Sequence, residues 1–292
     1  MKISLEESYR QCEEITRERA QNFFFGIRLL PQERRSSLCA AYAFFRTCDD
    51  ISDGDIEVAD RSKALEAWAS NIDPDAAHPI EVEAARNLLP AFHDTVRRYK
   101  IPLEYFHDLV RGSQDDLVKH RYSSFDDLYQ YCYRVASTVG LVCLHVFGFD
   151  GSPEALKQAE HRGIAFQLTN ILRDVAEDIS LGRIYLPLED LARFGIDPEE
   201  LVKGTPGPGF ADIVQFEVER ARKFYELSDG LRDHVDPVSR PSLQAMTAIY
   251  RQLLEKVAAL GPGVLKTRAS LSKMEKLKLA GQTVIDQVGS YL

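Results

Sequence analysis

The chain has 292 residues, of which 45% are hydrophobic and 28% are charged, and its formal net charge is -9. These fractions are typical of a packed globular protein and exclude whole-chain disorder, collagen and a coiled-coil fibre. The acidic balance argues against nucleic-acid binding, because phosphate backbones attract lysine and arginine, and it suits divalent cations where carboxylates cluster.

The N-terminus and the cysteines predict a cytoplasmic protein. The first twenty residues are charged throughout and have no apolar core of signal-peptide type. No run approaches the roughly 18 apolar residues of a membrane span. The five cysteines form no C-x-x-C pair, which favours reduced thiols over disulfides or a zinc site. Attachment to the inner face of a membrane stays open.

Helix signals dominate the chain. Residues 4–7 form a capping box ahead of a long polar helix, and Pro31 precedes a helix predicted from about residue 32. The segments 152–154 and 197–200 each contain an N-cap residue, a proline at the first helical position and an early acid. Further amphipathic helices are predicted over about 60–72, 80–98, 102–118, 124–148, 155–180, 210–233, 238–259 and 270–290.

Short segments rich in glycine, proline and polar residues separate these helices. Loops are predicted at 73–79, 148–152, 180–187, 204–209 and 261–263. None has the length of a flexible interdomain linker, and no repeat or strand-like hairpin is visible. The sequence therefore predicts an all-α protein in which residues 1–292 form one domain, a helical bundle large enough to enclose an apolar cavity.

A polar stripe follows one face of the helix predicted from residue 32. Its members are spaced by 0, 4, 7 and 11 positions and are Tyr42, Arg46, Asp49 and Asp53. Asp49 and Asp53 lie one turn apart, and two carboxylates so placed repel each other unless a cation lies between them. An EF-hand loop is excluded, because Ile51 stands where that loop requires an oxygen ligand. A solvated helix end is the alternative.

A second polar stripe lies on the helix predicted over 155–180. Its members, at offsets of 0, 3, 7 and 11 positions, are Gln167, Asn170, Asp174 and Asp178. Apolar residues occupy much of the rest of this helix, so a buried stripe needs partners. Hard cations with bound water would satisfy it, and a polar network between helices is the alternative.

Together the two stripes predict a metal-dependent site. Facing each other across a cavity, they can hold several Mg²⁺ ions, which in turn can hold a diphosphate. The metal ions would draw charge from a leaving diphosphate and promote carbocation formation. An apolar helical interior would shelter that cation from water.

Five segments resemble the squalene/phytoene synthase family, and the similarity is collinear from about residue 8 to 275. In chain order the segments are 23–31, 49–53, 131–140, 170–178 and 182–187. Residues 49–53 resemble the first aspartate-rich motif of the family, and 170–178 resemble the second. Residues 131–140 resemble the helix that lines the family's substrate channel.

The resemblance implies an isoprenoid-synthase fold and head-to-head prenyl transfer. Two allylic diphosphates, usually farnesyl diphosphate, would react with Mg²⁺ through presqualene diphosphate to a C30 product of squalene type. The alternatives are a phytoene synthase acting on geranylgeranyl diphosphate, a terpene cyclase or prenyl diphosphatase of the same fold, and a helical interaction protein without activity. No G-x-G-x-x-G element follows a strand, so the sequence gives no support for NADPH, whose use stays open.

The resemblance also implies roles for individual residues. The metal ligands would be Asp49, Asp53, Asn170, Asp174 and Asp178. The prenyl diphosphate would contact Tyr42, Arg46, Gln167, Asn170, Arg183, Tyr185, Tyr250 and Arg268. Tyr131 would act with the aspartates in catalysis, by transferring a proton or stabilising a cation, although a core aromatic is an equal alternative. On the residues alone, Arg46 could instead neutralise Asp49 or Asp50, and Arg268 could be a solvated surface residue.

The C-terminal segment 266–280 is basic in an acidic chain. Its apolar residues are Leu271, Met274, Leu277 and Leu279. This composition predicts a peripheral contact with an anionic membrane surface, alongside the prenyl diphosphate partners.

Overall fold

A computed structural model of the protein describes residues 3–20, 22–54, 56–76 and 86–289. The α-helices in this part of the chain are α1 (Leu5–Arg19), α2 (Phe23–Ile27), α3 (Gln32–Ser52), α4 (Val58–Ala69), α5 (Leu89–Tyr99), α6 (Glu104–Val118), α7 (Phe125–Cys132), α8 (Thr138–Phe147), α9 (Pro153–Ser180), α10 (Leu188–Arg193), α11 (Pro198–Val202), α12 (Phe210–Leu227), α13 (Leu231–His234), α14 (Arg240–Leu260) and α15 (Lys273–Gly289). The β-structure of the described residues is limited to two isolated bridges, so the all-α prediction is confirmed. No described helix combines the length and the hydropathy of a membrane span.

The helix caps explain where several of the predicted helices begin. Ser4 and Ser152 each accept a backbone N–H from three residues further on, at 3.2 Å, and Asp197 accepts the N–H of Glu199 at 2.9 Å. Pro31 occupies the N-cap of α3. These local bonds satisfy amide groups that have no partner within the first helical turn.

The structure departs from the predicted helices at a few places. The stretch predicted over 210–233 is divided into α12 and α13. At the break, the backbone carbonyl of Ser228 accepts a hydrogen bond from Nη2 of Arg162 at 2.7 Å. The segment 261–263 lies in a 3₁₀ turn, Gly261–Leu265. The sequence does not predict α2 and α10, since helices of five and six residues are too short to show a hydrophobic period. Residues 77–85, which belong to a predicted loop and helix, lie outside the described residues.

Long helices surround a cavity of about 590 Å³. On α3 and α9 the lining changes along the helix from largely apolar residues to polar ones, although the buried Arg162 of α9 lies within the apolar stretch. On α3 the lining runs from Leu38 to Asp49, and on α9 it runs from Ala159 to Arg173. At 1.5 Å per residue these stretches span about 16 and 21 Å. The cavity is therefore elongated, with a polar end and an apolar end.

A π-helical turn, Tyr133–Ser137, interrupts the helix predicted over 124–148 and joins α7 to α8. Glycines on two neighbouring helices pack against it. A Cβ atom at Gly163 of α9 would lie 2.4 Å from Cα of Ser137, and one at Gly112 of α6 would lie 2.6 Å from Cγ1 of Val135. The close approach sets Tyr131 and Val135 along the same cavity wall.

A buried ion cluster joins α10 to α12. Nη1 of Arg220 lies 2.8 Å from Oδ2 of Asp190 and 2.5 Å from Oε1 of Glu217. Burial raises the pKa of Glu217 to about 7, although Arg220 opposes the shift. The ordinary pKa in an unfolded chain is about 4.3. The stability that Glu217 contributes is therefore fully present below about pH 4.3 and is lost as the pH rises through 7.

We expect Glu217→Gln, which cannot ionise, to reduce the pH dependence of unfolding. Between pH 6 and 8 the wild type should lose roughly 1 kcal/mol more of its free energy of unfolding than the variant. Urea denaturation at both pH values measures the difference. Glu219→Gln, at an exposed neighbouring position on α12, is the matched control and should behave as the wild type. Equal pH dependence in Glu217→Gln and the wild type would contradict the expectation.

Candidate functional site

The polar end of the cavity brings the two predicted stripes together. Of the residues predicted from the sequence, those that line the cavity are Tyr42, Arg46, Asp49, Tyr131, Gln167, Asn170, Tyr250 and Arg268. The other predicted residues are Asp53, Asp174, Asp178, Arg183 and Tyr185. These five do not line the cavity, and hydrogen bonds or charge connect them to residues that do.

The first stripe ends at the C-terminus of α3. Asp53 caps the helix and donates its backbone N–H to the carbonyl of Asp49 at 2.8 Å. Burial within the bundle raises the pKa of Asp49 to about 7; Arg46 opposes the shift and Asp53 adds to it. The Asp49 side chain is nevertheless 56% exposed, because its surface opens onto the cavity. A ligand that enters the cavity can therefore reach this carboxylate.

Arg46 pairs with Asp50 in this structure, which is the alternative that the sequence left open. Its Nε donates to Oδ1 of Asp50 at 2.9 Å, and its Nη1 lies 3.7 Å from Oδ2 of Asp49. Arg46 also lines the cavity. Its hydrogen bond to Asp50 therefore holds the guanidinium group at the polar end.

The two aspartates of the second stripe have opposite shifts in pKa. Asp174 accepts hydrogen bonds from Nε of Arg173 at 2.8 Å and from Nε of Arg268 at 2.7 Å. Burial favours the neutral acid, but these two guanidinium groups outweigh it and lower the pKa of Asp174. For Asp178, burial and the charge of Asp174 raise the pKa to about 7. The site thus holds one carboxylate that is already neutralised and another that favours a cation.

Aspartates stand near the C-termini of three helices at this end of the cavity. Asp49 lies on α3, Asp116 on α6 and Asp178 on α9, each within the last four residues of its helix. A helix C-terminus carries a partial negative charge, so a carboxylate there is unfavourable unless a cation neutralises it. The charge of Asp116 contributes to the raised pKa of both Asp49 and Asp178. The three helix ends therefore bring carboxylates close enough together to disfavour one another's charged form.

The oxygen atoms at this site fit the predicted Mg²⁺ ions. Oδ1 of Asn170 is buried and has no hydrogen-bond partner among the residues that the structure describes. Carboxylate and amide oxygens are the ligands that Mg²⁺ prefers. Within the described residues, no three His, Cys, Asp or Glu side chains form a metal site by themselves. This arrangement suits Mg²⁺ held partly by phosphate oxygens and water, and metal binding stays a prediction.

Asp116 is a site residue that the sequence did not predict. Its carboxylate accepts the hydroxyl of Tyr131 at 3.0 Å and that of Tyr185 at 2.8 Å, and the two phenol oxygens lie 3.3 Å apart. Burial raises the pKa of Asp116, although both hydrogen bonds oppose the shift. The available signal was the acid pair Asp115-Asp116 near the end of the helix predicted over 102–118.

Basic residues that were not predicted also line the polar end. They are Arg19, Arg173 and Lys276. Burial and the nearby Arg173 lower the pKa of Lys276. Arg173 stands beside Asp174 in the second motif, which was the signal for it in the sequence. Together with Arg46 and Arg268, these groups can bind an anion such as a diphosphate.

Aromatic rings line the cavity next to its polar end. The rings of Phe166 and Tyr250 stack with centroids 4.2 Å apart, and Phe23 lies 5.4 Å from Tyr250. All three line the cavity. The face of an aromatic ring attracts a cation, so this cluster can stabilise a positive charge that is out of contact with water.

Comparisons with known proteins agree with this site. The sequence model of a family described as squalene/phytoene synthase matches residues 16–275. A phytoene synthase of Mycobacterium tuberculosis is 37% identical over 289 residues, which are 97% of this chain and 93% of that protein. A 15-cis-phytoene synthase of Synechococcus elongatus is 35% identical over 286 residues, which are 94% of this chain and 91% of that protein.

The fold is similar to that of a solved dehydrosqualene synthase. The two structures superpose with a TM-score of 0.83 at 25% identity, and the superposition covers 98% of each chain. The helical architecture predicted from the sequence resemblance is therefore confirmed.

Proposed function

The chain belongs to the squalene/phytoene synthase family, and we propose that it joins two allylic prenyl diphosphates head to head. Members of this family are prenyltransferases that act on prenyl diphosphates, so the chain is an enzyme of this kind. The observation that carries the proposal is the polarity of the cavity. Its charged end suits a diphosphate, and its apolar end suits a prenyl chain.

The charged end would bind and orient the diphosphate groups. Arg46 and Arg268 present guanidinium forks that match phosphate oxygens, and Tyr250 adds a hydroxyl donor. The residues that would hold Mg²⁺ are Asp49, Asp53, Asn170, Asp174 and Asp178. When bound there, Mg²⁺ supplies charge stabilisation to the leaving diphosphate.

The cavity walls would protect the allylic cation that forms when a diphosphate leaves. The ring faces of Phe23, Phe166 and Tyr250 lie next to the charged end and attract positive charge. The lining beyond them is largely apolar, and its buried Arg162 is held by Ser228 and Thr247. This part of the cavity would limit access of water, which would otherwise capture the cation as an alcohol.

Tyr131 and Asp116 would remove the proton whose loss, after the two prenyl chains are joined, closes the cyclopropane ring of a presqualene-type intermediate. The hydroxyl oxygen of Tyr131 would accept that proton while its own proton passes to Asp116, 3.0 Å away. Asp116 is a suitable final acceptor, because burial raises its pKa above that of an ordinary carboxyl. Tyr185 donates to the other oxygen of Asp116 and would hold the carboxylate in position.

For the chain length we propose two C20 diphosphates and a C40 product, phytoene. The supporting observation is that relatives 35% and 37% identical over nearly the whole chain are phytoene synthases. The C30 product favoured from the sequence is the second candidate. It is supported by the similar fold of a dehydrosqualene synthase, at 25% identity.

Incubation with each substrate tests the proposal. We expect purified protein with geranylgeranyl diphosphate and Mg²⁺ to form a C40 hydrocarbon without NADPH, as measured by mass spectrometry of the extract. A C30 product from farnesyl diphosphate alone would support the second candidate, and a requirement for NADPH would indicate a reductive final step. A chelator control should abolish either product. If both substrates gave monomeric alcohols or cyclic terpenes and no joined product, the head-to-head reaction would be overturned.

A further inference from the structure

The outward face of α15 is apolar. Met274 is 74% exposed, Ile285 is 65% exposed and Leu277 is 47% exposed, whereas Ala280 and Thr283 on the opposite face are buried. Positions 274, 277, 281 and 285 share one helical face, which Gly281 leaves flat. A helix that packs against a protein with one face usually has polar residues on its outward face. An apolar outward face therefore indicates contact with another apolar surface.

Lysines border this apolar face. Lys266, Lys273 and Lys278 are exposed, and none of them forms an ion pair with a described residue. The acidic residue between them, Glu275, is neutralised by Lys256 at 2.8 Å. The surface is therefore locally positive, although the whole chain carries a formal charge of -9.

The same segment lies where the cavity opens to solvent, because Arg268 lines the cavity and its side chain is 56% exposed. Arg268, Leu271 and Lys276 line the polar end of the cavity. Two further exposed apolar residues, Val118 and Leu181, lie at the C-terminal ends of α6 and α9, whose last turns also reach that end. Apolar side chains thus occur on several elements around the entrance.

We propose that the outward face of α15 docks on an anionic lipid bilayer, with the entrance of the cavity next to the membrane surface. The apolar residues would enter the boundary between headgroups and acyl chains, and the lysines would contact anionic headgroups. Charge complementarity favours an anionic bilayer over a second copy of the chain at this face. Two copies of the chain meeting through this face would bring like-charged lysines together, which disfavours a symmetric dimer.

A tryptophan reporter tests the docking. The natural Trp68 is the single tryptophan of the chain and is fully buried, so Met274→Trp adds one exposed fluorophore. Vesicles of phosphatidylglycerol and phosphatidylcholine with brominated acyl chains should quench it. The matched control is Leu5→Trp, at an exposed site at the start of α1, fourteen residues from the cavity-lining Arg19. The control should not be quenched.

Charge variants test the electrostatic part. Neutralising Lys273 and Lys278 to glutamine should weaken binding to anionic vesicles about fivefold for each lysine, or roughly 25-fold together. Lys63→Gln with Lys223→Gln changes the net charge equally at exposed sites elsewhere and should leave vesicle binding unchanged. Vesicles of phosphatidylcholine alone should bind weakly in every case.

Either of two results would overturn the docking proposal. One is the absence of quenching of Met274→Trp by anionic vesicles. The other is a concentration-dependent dimer, detected by light scattering, that Met274→Glu abolishes, because it would assign the face to a second copy. Turnover of detergent-dispersed substrate should persist in the lysine variants. Failure of the docking would therefore be distinguishable from failure of the proposed reaction.

Discussion

Replacing Asp49 with asparagine is expected to lower turnover by about a thousandfold. Asp49 reaches the cavity from the C-terminus of α3, where its charge is unfavourable without a cation. The amide of asparagine has the same shape, but it removes the negative charge that attracts Mg²⁺. A loss of several kcal/mol of charge stabilisation in the transition state corresponds to a rate factor on the order of a thousand. Single-turnover product formation at saturating Mg²⁺ measures it.

Two further measurements separate loss of metal binding from loss of fold. Because burial disfavours the charged form of Asp49, Asp49→Asn without Mg²⁺ should be at least as stable as the wild type at pH 8. The wild type should gain thermal stability from Mg²⁺ with diphosphate, and the variant should gain much less. Asp60→Asn, an exposed acid on α4, is the matched control and should keep full activity. Full turnover in Asp49→Asn would refute the metal-dependent mechanism.

Replacing Gly163 with alanine is expected to destabilise the protein by about 3 kcal/mol. The added Cβ atom would lie 2.4 Å from Cα of Ser137, 2.6 Å from its N atom and 2.8 Å from the carbonyl oxygen of Ala136. All three are backbone atoms, so no side chain can move aside, and α9 must separate from the π-helical turn. The shift would also displace Tyr131, which lies two residues before that turn begins, and reduce turnover.

Gly281→Ala provides the matched control for this substitution. Gly281 lies on α15, and a Cβ atom there would meet no heavy atom of the described chain within 4 Å. Since alanine favours a helix over glycine by about 1 kcal/mol, this variant should be slightly more stable than the wild type. Urea denaturation of both variants gives the comparison. Equal stabilities for Gly163→Ala and Gly281→Ala would mean that the contact with Ser137 is not rigid.

The site residues that could be predicted from the sequence are those whose positions follow from the periodicity of a single helix. Spacing along one helix places Asp49 one turn from Asp53 and Asn170 one turn from Asp174. In the structure Asp53 caps α3, Asp174 lies on α9, and Asp49 and Asn170 line the same cavity. The contact of Tyr131 with Asp116 joins residues fifteen positions apart on different helices, which no periodicity records. The π-helical turn depends on Gly163, which belongs to another helix. Tertiary packing decided these features.

The three acidic helix ends have a consequence for the order of events during turnover. On the proposed function, a diphosphate strengthens the binding of Mg²⁺, and reciprocity requires Mg²⁺ to strengthen the binding of the diphosphate by the same factor. A resting enzyme whose carboxylates repel one another would thus retain neither ligand tightly. Metal ions would arrive and leave with each diphosphate, and the released inorganic diphosphate would become a more effective inhibitor as the Mg²⁺ concentration rises.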